Sequence, residues 1–175
     1  MDIRTRLIST AEQLFDRHGF TATGMDRLTK GAGISSRTLY KHTGSKHGLM
    51  AAVLNERGRR FLRQMDVDSV DELFVSLETW LVQEGSRGCL FLRAWGETGG
   101  DIPEIAATIM EHKRRLRERV NEIVAAEIGY RDDELAEEIV ILFEGATHTA
   151  IYRGTAGVAS ARRAARYLMT VERKA

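Results

Sequence analysis

The sequence predicts an all-α protein of about nine helices, with an N-terminal three-helix helix-turn-helix head (1–48) and a larger helical remainder (49–175). Three observations carry this. Apolar residues recur at three- and four-residue spacing along almost the whole chain, and short β-branched runs are missing. Proline occurs once, at Pro103, and the 16 glycines fall where helices would end. Charge is uneven: residues 1–62 carry eleven Lys and Arg against five Asp and Glu, a net of +6, while residues 63–175 carry fifteen against twenty, a net of −5. A basic head on an acidic remainder suggests that the head meets a polyanion.

Taken in order, Ile3, Leu7, Ala11, Leu14 and Phe15 form one helical stripe, with Asp2 before it and Gly19 after it. Thr23 to Asp26 reads as a T-x-x-D start signal for a short second helix, Met25 to about Ala32, closed by Gly33. Ser35 can cap a third helix over 36–42, and Ser45 a fourth running to about Met65. The segment DVDS (66–69) is the best candidate seam. Ser69 then opens a capping box before Val70, Leu73, Phe74, Leu77 and Leu81. A short helix follows from about Cys89 to Glu97. Pro103 starts a long one with the stripe Ile105, Ile109, Leu116, Val120, Ile123 and Val124, ending at Gly129. Asp132 or Asp133 starts the next, to about Arg153, and a last helix covers 158–172.

The chemistry is concentrated between Gly33 and Leu49, GISSRTLYKHTGSKHGL. Two short helices joined by a tight glycine turn, the second one basic, have the form of a helix-turn-helix. Such a second helix enters a major groove about 12 Å wide, so one face must be anchored while the other stays free. Ile34 and Leu39 are the expected anchors, against Leu14, Phe15 and Leu28. Ser36, Arg37, Thr38, Tyr40, Lys41 and His42 remain for double-stranded DNA.

AGISSRTLYKHTGSKHGL (32–49), preceded by FTATGMDRLTKG (20–31), resembles the DNA-binding signature of the tetracycline-repressor (TetR) family. Its most specific parts are Thr38-Leu39-Tyr40, His42 and Ser45-Lys46. The resemblance implies that Tyr40 and Lys46 contact phosphates. Thr38 and His42 would touch the backbone or a base edge, and Ser36 and Arg37 would read bases, Arg37 by the bidentate grip that arginine can take on guanine. Lys41 would be a further phosphate partner. One departure is Thr43, where the family usually has an aromatic, most often Phe; this removes a packing anchor between the third and fourth helices.

The resemblance further implies a regulator, by default a repressor, that binds a palindromic operator as a homodimer; the single cysteine and the missing secretory and membrane-spanning segments suggest a cytoplasmic address. Its last two long helices, about 133–153 and 158–172, would form the interface. Leu142, Phe143, Ile151, Val158, Leu168 and Met169 would add apolar area there, or else close the monomer's own core. The body of such regulators usually holds an inducer pocket, which Trp80, Phe91, Trp95, Met110, His112, Phe143 and His148 could line as well as they could fill a core. The expected effector is an unidentified small molecule, and no cofactor is expected.

Other classes have little support. G-x-S-x-G, a P-loop and H-E-x-x-H are absent, so an enzyme is not expected. Cys89 is the single cysteine, which suggests a reducing compartment and a small buried thiol rather than a nucleophile. His42 and His47 straddle a helix break, poor geometry for metal ligands, and no metal is expected. The N-terminal stretch lacks a secretory h-region and no run of 18 apolar residues occurs, so no membrane partner is expected. A helical adaptor with an unused head remains the alternative; steep salt dependence of DNA binding separates the two.

Overall fold

The computed structural model describes the backbone of residues 2–172 and the side chains of residues 2–170. Among the described residues there are nine α-helices and no strand. In chain order they are α1 (Ile3–His18), α2 (Met25–Ala32), α3 (Ser36–Thr43), α4 (Lys46–Gln64), α5 (Val70–Glu84), α6 (Leu90–Thr98), α7 (Pro103–Ile128), α8 (Asp133–Arg153) and α9 (Thr155–Glu172). The helix starts are largely those the polar residues dictate. Ser35 Oγ accepts the Thr38 N–H at 3.1 Å, and Ser69 Oγ accepts that of Glu72 at 3.2 Å. Of the two candidate caps for α8, Asp132 serves, accepting from the amides of Glu134 and Leu135.

Two local expectations are corrected. Thr23 does not cap α2: the N-cap position is Gly24, without a side-chain bond. The buried Thr23 hydroxyl turns back onto α1 instead, donating to the Gly19 carbonyl at 2.6 Å. The last helix begins at Thr155 rather than residue 158, because Gly154 alone breaks the chain between α8 and α9.

The chain forms two compact units, one taking residues up to Arg59 with Leu90–His112, the other Arg60–Cys89 with the chain from Lys113 on. The segment 66–69 lies inside the second unit. In the first, α1 packs on α2 and α2 on α3, around Leu7, Ala11, Phe15, Leu28, Leu39, Leu49 and Val53, each fully buried. Phe15 and Phe20 meet edge to face at 5.4 Å. An ion pair also joins α1 and α4 in this interior: Arg57 Nη1 donates to Glu12 Oε1 at 2.8 Å, and both side chains are almost completely buried. Arg93 of α6 binds the Asp16 carboxylate at 3.0 Å and its carbonyl at 2.8 Å.

The second unit is a bundle of α5, α8 and α9, with the latter parts of α4 and α7, about a core that includes Phe61, Phe74, Leu77, Val120, Ile139 and Phe143. Val158 and Met169 belong to this core too, while Leu142 and Leu168 are half-buried beside it. Arg162 and Arg166 of α9 both bind Asp71 at the start of α5, and their hydrogen bonds hold its carboxyl well below the usual carboxylate range.

Candidate nucleic-acid interface

The turn between α2 and α3 is built by Gly33. Its φ of 61° is left-handed, a conformation glycine adopts without a Cβ penalty, and it lets the Ile34 N–H return to the Thr29 carbonyl at 3.1 Å. Ser35 then caps α3, and Leu39 is the one residue of that helix to be buried, with no exposed surface. Ile34 is half-buried.

Anchoring α3 through one side chain turns the rest outward. Ser36, Arg37 and Lys41 are exposed and Tyr40 keeps 51% of its surface. Thr38 is half-buried, its hydroxyl 2.9 Å from that of Ser35. His42 is half-buried as well. Its carbonyl accepts Arg4 Nη1 at 2.7 Å, so an α1 side chain caps the C-terminal end of α3 and complements its dipole.

The turn into α4 is held by hydroxyls rather than a ring. Thr43 Oγ1 donates to the Leu39 carbonyl at 3.1 Å, and Ser45 Oγ accepts the Gly48 N–H at 2.8 Å. Lys46 is the first residue of α4, a helix N-terminus whose free amides suit a phosphate. Lys46 Nζ lies 3.4 Å from the Thr21 carbonyl and 4.5 Å from the centre of the Phe20 ring. Partial burial lowers its pKa below the ordinary lysine value, and the charge of Glu97 offsets part of that shift.

The sequence of this head matches known proteins. Residues 7–53 match the family described as bacterial regulatory proteins, tetR family. The chain is 26% identical over 122 residues to the HTH-type transcriptional regulator UidR of Escherichia coli K12, a stretch covering 67% of this chain and 62% of UidR. The likeness of fold extends further. A TetR-family regulator from Streptomyces coelicolor superposes with a TM-score of 0.81 over 96% of this chain and 94% of its own, at 23% identity. A putative regulator of the same kind from Streptomyces avermitilis gives 0.74 over 95% and 99%, at 25% identity. The head, residues 7–53, is thus a tetR-family head, and the chain shares the fold of these regulators.

The seven residues expected at an effector site are divided between the two units. In the first, Phe91 and His112 are stacked, ring centres 3.8 Å apart and planes within 10°. Gly58 of α4 makes room for them, since a Cβ there would lie 3.0 Å from His112 Nδ1 and 3.2 Å from the Phe91 ring. Trp95 and Met110 are on the surface, 38% and 61% exposed. In the second unit, Trp80 and Phe143 flank Phe61, at 5.1 Å and 6.0 Å. His148 is half-buried, its Nδ1 2.9 Å from the Glu144 carbonyl one turn back.

An open groove of about 610 Å³ runs along α8 and α9, lined by Glu138, Ile141, Leu142, Arg163, Tyr167 and Leu168 among others. No helix of the described residues is long and apolar enough to cross a membrane. Arg4, Glu12, Arg57, Arg93 and Glu97 escaped notice in the sequence, because their partners lie up to 77 residues away.

Proposed function

We propose that the chain is a sequence-specific DNA-binding transcriptional regulator, a repressor that binds a palindromic operator as a homodimer and responds to a small-molecule effector. The observation that carries this is α3, fastened by the fully buried Leu39 while Arg37, Tyr40 and Lys41 face solvent. In this reading Ser36 and Arg37 read base edges, Tyr40, Lys41 and Lys46 hold phosphates, and Thr38 and His42 touch the backbone or a base edge. Similarity to UidR, an HTH-type transcriptional regulator, supports it.

The homodimer reading is supported by the α8–α9 groove. Ile141 is 63% exposed and Tyr167 71%, an apolar surface that one chain leaves to water. Glu138 and Arg163 also line it, and a second copy related by a two-fold axis can pair one with the other. Two heads then reach half-sites, whose spacing is about one helical turn of DNA or a multiple of it. The effector reading rests on the aromatic groups of the two units, the Phe91–His112 stack foremost, and the domain division at residue 48 is proposed with it.

Selection of bound sites from a random duplex pool tests the whole reading; a palindrome is expected, and a pool that never enriches refutes it. Affinity should fall steeply with salt, because phosphate contacts release counterions. Lys46→Ala should weaken every sequence about equally, whereas Arg37→Ala should relax choice at one position, by about 1–3 kcal/mol.

A further inference from the structure

Lys46 is not free in the unbound protein. Its ammonium rests on the Thr21 carbonyl and beside the Phe20 ring, both in the loop between α1 and α2. The amide of that same Thr21 is held from the other side, because its N–H donates to Glu97 Oε2 at 2.7 Å. The loop presses closely on this carboxylate: a Cβ at Gly19 would lie 3.0–3.3 Å from its atoms. Glu97 is in turn fixed on α6. Arg93, one turn earlier on that helix, grips Asp16 of α1 through two hydrogen bonds. All of these residues belong to the first compact unit.

We infer that Glu97 is a positioning residue for the DNA contact at Lys46: it holds the α1–α2 loop through Thr21, keeps the lysine folded onto that loop, and competes with the incoming phosphate for the ammonium. The inference rests on the reading of Lys46 as a phosphate contact. Two features of the geometry favour it over a purely structural role. The carboxylate accepts from a backbone amide whose own carbonyl is the lysine's acceptor, so the two side chains meet across one residue rather than through a flexible tail. Glu97 is also exposed, so its charge is not consumed by a buried partner. To grip a phosphate, the ammonium must give up its place on the loop, and the carboxylate opposes that move. Glu97 therefore sets the strength of a sequence-independent contact while leaving the base-reading surface of α3 untouched.

A double-mutant cycle tests this. Glu97→Gln keeps an oxygen for the Thr21 amide and removes the charge; Lys46→Met removes the ammonium and keeps most of the stem. Binding of a pool-selected duplex and of a random duplex of equal length is measured at low salt by fluorescence anisotropy for the parent, both single variants and the double. Glu97→Gln should tighten binding to both duplexes about two- to five-fold, the range open to an exposed charge pair, and should steepen the salt dependence. In the Lys46→Met background that gain should vanish. The same gain in both backgrounds, or no gain with Lys46 present, would overturn the inference. If Lys46→Met alone bound like the parent, the phosphate reading of Lys46 would fail, and the inference with it. A weakened Lys46→Met with an additive cycle would remove the role of Glu97 only.

Discussion

Replacing Glu12 by Leu removes one carboxylate partner from a charge held in the interior of the first unit. Arg57 Nη1 donates to Glu12 Oε1 at 2.8 Å, and the side chains are only 7% and 10% exposed. At this contact the attraction between unit charges about 4 Å apart is about 4 kcal/mol at an effective dielectric of about 20, a gain that the cost of stripping water from both ions largely cancels. Removing one partner leaves that cost in place without the attraction. Glu12→Leu should therefore lower unfolding free energy by about 3–5 kcal/mol. Both residues hold further interactions, which puts the expected value near the lower end, about 3 kcal/mol. Arg57→Met should cost a similar amount, and the double variant should return to within about 1–2 kcal/mol of the parent, because both members of the buried pair are then gone together. Urea unfolding followed by circular dichroism measures all four proteins. Single losses below about 1 kcal/mol, or a double loss equal to the sum of the singles, would refute the argument.

Ser35→Ala removes the cap of α3 and should cost about 1 kcal/mol in urea unfolding, with weaker DNA binding as that helix frays. Gly58→Ala adds helix propensity of about 1 kcal/mol but presses a methyl into the Phe91–His112 stack; a net loss of about 1 kcal/mol is expected, and a gain in thermal stability would show that the rings yield freely. Asp71 titrates below its unfolded value because Arg162, then Arg166, bind its charged form, so its contribution is complete above about pH 4 and is lost as pH falls through the depressed folded value. Asp71→Asn should accordingly lower stability at neutral pH by a modest, solvent-screened amount and flatten the loss below about pH 4; an unchanged acid limb would contradict this.

How much of this was legible in the sequence depends on the range of the interaction. Caps at Ser35, Ser69 and Asp132 act on amides two or three residues away, so residue type and position sufficed. The stripe of α7 was legible for the same reason, and all six of its apolar residues are buried. Thr23 misled because a hydroxyl is donor as well as acceptor, and α1 offered it carbonyls before α2 offered it amides. The start of α9 was misplaced because Gly157 resembles a loop glycine, yet it sits within the helix where a Cβ would meet Thr149. For the candidate interface, Arg37, Tyr40 and Lys41 were identifiable from charge and spacing. The Thr21–Glu97 bond spans 76 residues, and nothing local in the chain encodes it.

Of the eight residues in α3, Leu39 alone is buried. Folding therefore constrains the outward positions of that segment very little, and on the reading proposed above they can be exchanged without melting the scaffold beneath them. A lineage carrying this head can drift toward new target sites by single replacements at positions such as 36, 37 and 41. Selection would meanwhile hold Gly33 and Leu39 almost invariant.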